Sequence, residues 1–263
     1  MSAVAAERKP LYVEAHGNGP DLVLLHGWAM HGGIFTPLVE RLAPLFRVHV
    51  VDLPGHGGSR GEARFALDAT ARRLALQLPR AIWAGWSLGG LVALDVALAH
   101  PQRVRGVAMI ASSPRFVRAP DWRHGVEARV FEEFAAALGS RYHATIERFL
   151  ALETLGSAHA QEQLRELRRR VFERGEPDPA ALADGLAVLE GADFRDRLAA
   201  LAMPSLWLGG RRDRLVPPAA LAWAAQQAPG GRHLAFDSGH APFLEHADAV
   251  TEALAGLAAE LAA

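Results

Sequence analysis

Residues 81–90 read Ala81-Ile82-Trp83-Ala84-Gly85-Trp86-Ser87-Leu88-Gly89-Gly90, and the fold turns on how they are read. Ala81 to Ala84 is a short apolar run of the kind that forms a buried strand. Leu88 to Leu98, rich in Leu, Ala and Val, has the composition and length of a helix. Between them lies Gly85-Trp86-Ser87-Leu88-Gly89, a G-x-S-x-G pattern. A strand that turns this sharply into a helix strains its middle residue and lifts that side chain out of the fold. The flanking glycines are required because a Cβ there would strike the neighbouring strand or helix. Ser87 would then present its hydroxyl at a helix N-terminus, where unpaired N–H groups favour developing negative charge. The plainer alternative is a serine that merely caps the helix.

Outward from this stretch, strands and helices alternate. Leu11–Ala15 reads as a strand closed by the turn cluster 16–20, and Leu22–Leu25 as a strand covered on both faces. A helix is expected from about Ile34 to Leu42, a strand at Val48–Val51, a helix at Leu67–Leu78 and a strand at Val104–Ile110. Ser205–Leu208 and Arg232–Phe236 continue the pattern, and a last helix runs from about Ala247 to Leu261. This alternation predicts an α/β fold, a mostly parallel sheet with helices on both faces, whose chemistry sits at the carboxyl ends of the strands. From about Pro114 to Phe194 no convincing strand is found. Ile146, Phe149 and Leu150 lie on one helical face, and Leu164, Leu167 and Val171 on another. The expected organisation is a core of residues 1–114 and 195–263 with a helical cap inserted at 115–194.

Composition narrows the class. Half of the 263 residues are hydrophobic, 22% are charged and the net charge is −1, which excludes a disordered chain and gives no basic field for nucleic acid. Lys9 is the sole lysine, and there is no cysteine, so disulfides, thiolate metal sites and a cysteine nucleophile are excluded. Met1–Pro10 has no apolar core and is not read as a secretory signal. No stretch approaches membrane-spanning length, and a cytoplasmic protein is expected.

A serine hydroxyl needs a base, and the base needs an orienter. Twelve histidines are available. His240 is favoured because it follows the last strand within Ser238-Gly239-His240-Ala241-Pro242; His246, at the start of the last helix, is its competitor. Asp213 follows Gly209-Gly210 after the preceding strand, with Asp237 as the substitute. The order Ser87, Asp213, His240 is that of a triad built on a parallel sheet. The oxyanion would be held by the backbone N–H of Leu88 and of Trp28, in the loop after Leu22–Leu25. His26, His31 and His56 lie on loops without paired ligand spacing, so no metal site is expected, and Gly55-His56-Gly57-Gly58 reads as a turn rather than a phosphate loop.

Together His26-Gly27-Trp28, Asp52-Leu53-Pro54-Gly55-His56-Gly57, the Ser87 pentapeptide, Asp213 and His240 resemble the α/β-hydrolase superfamily. The likeness goes further. Leu24–Trp28, Val51–Gly55, Ala81–Trp83, Gly85–Ala93, Glu147-Arg148-Phe149-Leu150-Ala151-Leu152 and His240-Ala241-Pro242-Phe243 resemble the pimeloyl-acyl-carrier-protein methyl ester esterases of biotin synthesis. That resemblance implies hydrolysis of a methyl ester on a pimeloyl chain carried by acyl carrier protein, with no cofactor. It implies acyl-chain contacts from Trp28, Leu88 and Phe149, and carrier docking through cap arginines at Arg148 and Arg165. Arg169 shares a helical face with Arg165. Two further carrier-binding arginines of the family are replaced here by Ala144 and Gln161, with Arg141 or Arg168 close by. A monomer is expected. The alternatives are a general short-chain esterase, a carbon–carbon bond hydrolase or perhydrolase using the same triad, and a non-catalytic ligand receptor on this fold.

Overall fold

The computed structural model describes residues 9–61 and 64–262; the reading of the first eight residues lies outside the described residues. Seven strands form one sheet: β1 (Val13–His16), β2 (Asp21–Leu25), β3 (Arg47–Val51), β4 (Ala81–Trp86), β5 (Val104–Ile110), β6 (Ser205–Gly210) and β7 (Gly231–Phe236). Their order is β1-β3-β2-β4-β5-β6-β7. β1 runs antiparallel to β3, and every other pairing is parallel. β4 lies in the middle and is buried along its whole length, as its unbroken apolar run requires. The expected α/β architecture is observed.

The helices of the sheet region are α1 (Thr36–Leu42), α2 (Leu67–Gln77), α3 (Leu88–Ala99), α8 (Pro218–Gln227), α9 (Pro242–Glu245) and α10 (Ala247–Glu260). α1 packs on α10, α2 on α3, and α8 against β6 and β7. Two elements start later than expected. β1 begins at Val13 because the Leu11 backbone is engaged at both N–H and C=O by the Gln77 side chain, at 2.9 and 2.7 Å. The helix expected from Ile34 starts at Thr36, after a 3₁₀ turn over Gly32–Phe35 that His31 caps by accepting the Gly33 N–H. Helix α8 has no counterpart in the sequence reading.

Between β5 and β6 the chain forms four α-helices, α4 (Arg129–Leu138), α5 (Tyr142–Glu153), α6 (Ala160–Val171) and α7 (Pro179–Gly191), and then a 3₁₀ helix over Arg195–Ala200. Among the described residues two isolated bridges, Val117 with Val126 and Ala119 with Trp122, lie outside the named strands. The two apolar stripes face inward: Ile146, Phe149 and Leu150 on α5, and Leu167 and Val171 on α6, are buried, with Leu164 half-buried. Arg174, just beyond α6, ties this segment to the sheet. Its guanidinium lies 3.2 Å from Asp52, which is buried at the end of β3, and 2.7 Å from Glu14 of β1.

Candidate active site

At the β4–α3 junction Ser87 adopts φ 52°, ψ −118°, a left-handed backbone that a non-glycine residue occupies only under strain. The neighbours explain why the junction tolerates glycine alone. A Cβ on Gly85 would overlap the Gly89 carbonyl, and one on Gly89 would overlap the Leu25 carbonyl of β2. Ser87 stands at the N-cap position of α3, yet its hydroxyl makes no capping bond. Its Oγ is buried without a hydrogen-bond partner. The capping alternative is therefore not the role of this side chain.

The loops after β6 and β7 bring Asp213 and His240 together. His240 Nδ1 and Asp213 Oδ2 are 2.8 Å apart, with both side chains buried. The other carboxylate oxygen of Asp213 accepts the Leu215 and Val216 amides at 2.8 and 2.9 Å. The same aspartate thus shapes its own turn and holds the imidazole. With Nδ1–H donated to the carboxylate, Nε2 carries the lone pair; it too is buried and unpartnered. The base loop is fixed to the elbow, since the Trp86 indole N–H donates to the His240 carbonyl at 2.9 Å. It is also pressed onto β6, because a Cβ on Gly210 would overlap the Gly239 carbonyl. Ser87 and His240 make no direct hydrogen bond. The competitors stand apart from the pair: His246 lies 3.2 Å from the Asp237 carbonyl and stacks on Phe236, while Asp237 sits 3.2 Å from Arg212.

The proposed oxyanion donors have free amides. Neither the Trp28 nor the Leu88 backbone N–H meets an acceptor among the described residues. Trp28 is fully buried; its indole donates to the Leu182 carbonyl of α7 at 2.8 Å, and its ring lies 4.5 Å from that of Phe149. Gly185 of α7 makes room for this contact, since a Cβ there would sit 2.9 Å from the Trp28 ring and 3.2 Å from the Leu88 side chain. Trp28, Leu88 and Phe149 therefore converge, from the loop after β2, the start of α3 and α5.

The loop histidines serve structure. His26 donates from Nδ1 to the Gly27 carbonyl and accepts the Leu53 amide at Nε2, and burial pushes its pKa well down. Burial also lowers His56, to about 4, and lowers His31, whose Nε2 meets the Arg170 carbonyl at 2.7 Å. Among the described residues no group of three or more His, Asp or Glu side chains is arranged to hold a metal ion.

Of the surface arginines, Arg165 is exposed and makes no ion pair among the described residues. Arg148 is exposed, 4.0 Å from Glu133, and lies over the Phe134 ring. Arg169 is bound to Glu166 by two hydrogen bonds of 3.0 and 2.7 Å, and Arg168 is held by Glu147. Two residues went unnoticed in the sequence. Glu153 is wholly buried beside the Asp213 loop, and Arg174 reaches Asp52 across 122 positions. The first was within reach: Ile146, Phe149, Leu150 and Glu153 share helical spacing, and a charge on a buried stripe is a signal. For the second no local pattern exists.

Residues 20–247 match the alpha/beta hydrolase fold family. The chain is 55% identical over 246 residues to a pimeloyl-[acyl-carrier protein] methyl ester esterase from Xanthomonas campestris pv. campestris, covering 93% of this chain and 97% of that protein. It is 54% identical to a protein of the same description from Stenotrophomonas maltophilia, covering 93% and 95%. Among solved structures it resembles an esterase from Exiguobacterium antarcticum, with TM-score 0.85, 22% identity and 96% coverage of each chain. An enol-lactonase from Burkholderia xenovorans superposes with TM-score 0.83 at 22% identity, covering 95% and 96%. At that identity the structural likeness speaks for the fold alone.

Proposed function

Because the chain belongs to the alpha/beta hydrolase fold family and, within it, to the pimeloyl-[acyl-carrier protein] methyl ester esterases, we propose that it hydrolyses the methyl ester of a carrier-bound pimeloyl chain, a step of biotin synthesis, through an acyl-enzyme on Ser87. His240 Nε2 takes the Ser87 proton as Oγ attacks the ester carbonyl. Asp213 holds the imidazole through Nδ1–H and stabilises the imidazolium that forms. The oxyanion of the tetrahedral intermediate rests on the Trp28 and Leu88 amides, each such donor contributing about 3–4 kcal/mol. His240 returns the proton to the departing methoxide, releasing methanol. It then deprotonates a water that attacks the acyl-enzyme, and returns that proton to Ser87 Oγ as the pimeloyl carboxylate is released. No step calls on a cofactor.

The observation that carries this reading is a pair of buried atoms, Ser87 Oγ and His240 Nε2. Each lacks a partner, and the second is held in its acceptor form by Asp213. A buried polar atom left unpaired costs about 1–3 kcal/mol, and such a cost is expected where chemistry needs the atom free. Residues 115–194 act in this reading as a cap that supplies Phe149 to the acyl pocket. The acidic carrier docks on it through Arg165, which makes no ion pair among the described residues, and Arg148, whose Glu133 contact is long at 4.0 Å, more than through Arg169, whose guanidinium Glu166 engages with two hydrogen bonds. A cytoplasmic monomer is part of this proposal; among the described residues no helix is long and apolar enough to cross a membrane.

The test is rescue of a biotin auxotroph lacking this esterase. The wild-type chain should restore growth, and Ser87→Ala should not, its turnover falling by roughly 10⁶-fold. Failure of a folded wild-type protein to rescue, with retained turnover of small esters, would replace this substrate by the general short-chain esters. Residual hydrolysis by pure Ser87→Ala would remove the nucleophile.

A further inference from the structure

Glu153 ends α5 with its side chain fully buried and neither carboxyl oxygen hydrogen-bonded. Its own carbonyl accepts the His240 backbone N–H at 3.3 Å. The following residues continue the contact. Gly156 has φ +89°, and a Cβ there would overlap the Arg212 carbonyl, one residue before Asp213. Gly239, one residue before His240, lies so close to Leu155 and Ser157 that a Cβ would come within 3.2 Å of the Ser157 amide. A single short stretch of the helical segment, residues 153–157, therefore backs both loops that carry the proposed acid and base.

We propose that Glu153 is a positioning residue for the reaction: through its carbonyl on the His240 amide and its buried side chain beside the Asp213 loop, α5 holds the acid–base pair in register with Ser87. The proposal rests on the triad described above. Glu153 does this as a neutral acid. Burial and the negative charge of Asp213 both raise its pKa well above the carboxylate range. Two ionised carboxylates in one dry site are unfavourable, so one keeps its proton. Asp213 has two amides and the imidazole to stabilise its charge, whereas Glu153 has no such donor. The charged groups of the surrounding loops do not compensate it. Arg212 turns out to Asp237, and Glu245 takes the Gln163 side chain at 2.8 Å. An ionised Glu153 would add a second, uncompensated negative charge beside Asp213.

The experiment compares Glu153→Gln and Glu153→Ala with wild type on dimethyl pimelate, reading kcat and KM across pH, with Ser87→Ala as the control that the serine triad operates. Glu153→Gln keeps shape and neutrality and should retain kcat at pH 7. Glu153→Ala loosens the backing and should lower kcat roughly 10- to 100-fold with KM little changed, the scale of an ångström of misplacement. The unfolding midpoint gives a readout independent of activity. A group whose pKa is raised on folding favours the fold at low pH and loses that contribution as pH rises. Glu153→Gln should therefore gain stability over wild type progressively from pH 4 upward. An inactive Glu153→Gln, a Glu153→Ala with wild-type kcat, or a stability difference that does not change with pH would each overturn the proposal, even with Ser87→Ala dead. An active Ser87→Ala would instead bring down the triad reading itself.

Discussion

The rim of the sheet and the four helices laid between β5 and β6 hold their parts of the site by different means. At the rim, position is set by backbone against backbone: Gly85 on the Gly89 carbonyl, Gly89 on that of Leu25, Gly210 on that of Gly239. Where the helical segment lines the proposed acyl pocket and meets β3, position is set by side chains, with the Trp28 ring on Phe149 and beside Gly185, and Arg174 on Asp52, while residues 153–157 join the rim backbone to backbone. Backbone cannot yield without moving a strand, while a side chain can turn. The proposed chemistry is thus placed where the fold is stiff, and the proposed pocket and docking surface where side chains can adjust.

The largest expected effect breaks this contrast directly. In Gly85→Ala the new methyl meets backbone, and with no rotamer to relieve it the elbow must shift. Turnover should fall by about 10²-fold or more, and stability by about 3 kcal/mol. In Gly185→Ala the methyl meets the Trp28 ring at 2.9 Å and the Leu88 side chain at 3.2 Å, both able to move. The loss there should be about 1 kcal/mol and fall mainly on KM for the acyl chain. Steady-state kinetics and thermal melts of the two variants side by side decide it; equal losses would erase the distinction between the regions.

The same contrast explains what could be read in the chain. The strands and the elbow are legible because their signals are local: apolar runs such as Leu22–Leu25, and glycines around Ser87 that nothing else could replace. Asp213 and His240 are legible because each lies a few residues beyond a recognisable strand, and the structure sets them 2.8 Å apart. The helices of the segment are visible through their stripes, but what they touch is not. Arg174 is one arginine among many until the fold sets it on Asp52, and Glu153 gains meaning only through loops more than 50 positions away. Helix α8 escaped because it is short and alanine-rich, with little amphipathic period to read.

A smaller effect is expected on the flexible side. Reversing Arg148 and Arg165 to Glu leaves the elbow untouched and changes only the surface proposed to meet the carrier. Turnover of the carrier-bound ester should drop by about 10-fold at low salt, converging on wild type as ionic strength rises, since rim charges act on association and are screened. Dimethyl pimelate should be turned over as before. Equal losses on both substrates would show that these arginines shape the pocket and do not dock a partner.

The smallest effect on activity at neutral pH belongs to His56, and it sharpens the comparison from the side of stability. Its Nδ1–H donates to the Pro54 carbonyl at 2.9 Å, and burial lowers its pKa to about 4. The unfolded chain takes up that proton near pH 6.5 and the folded rim does not, so stability present above that pH is lost as it falls toward 4. The contribution of this one group is about 3 kcal/mol over that window. His56→Asn keeps an N–H for Pro54 and cannot titrate, so its unfolding midpoint should fall less steeply between pH 6.5 and 4 than that of wild type. Glu153 in the helical segment has the opposite sign, losing its contribution as pH rises. Rim and helical segment should therefore weaken at opposite ends of the pH scale. A His56→Asn curve parallel to wild type in acid would mean that the buried imidazole takes up its proton in the folded protein as readily as in the unfolded chain.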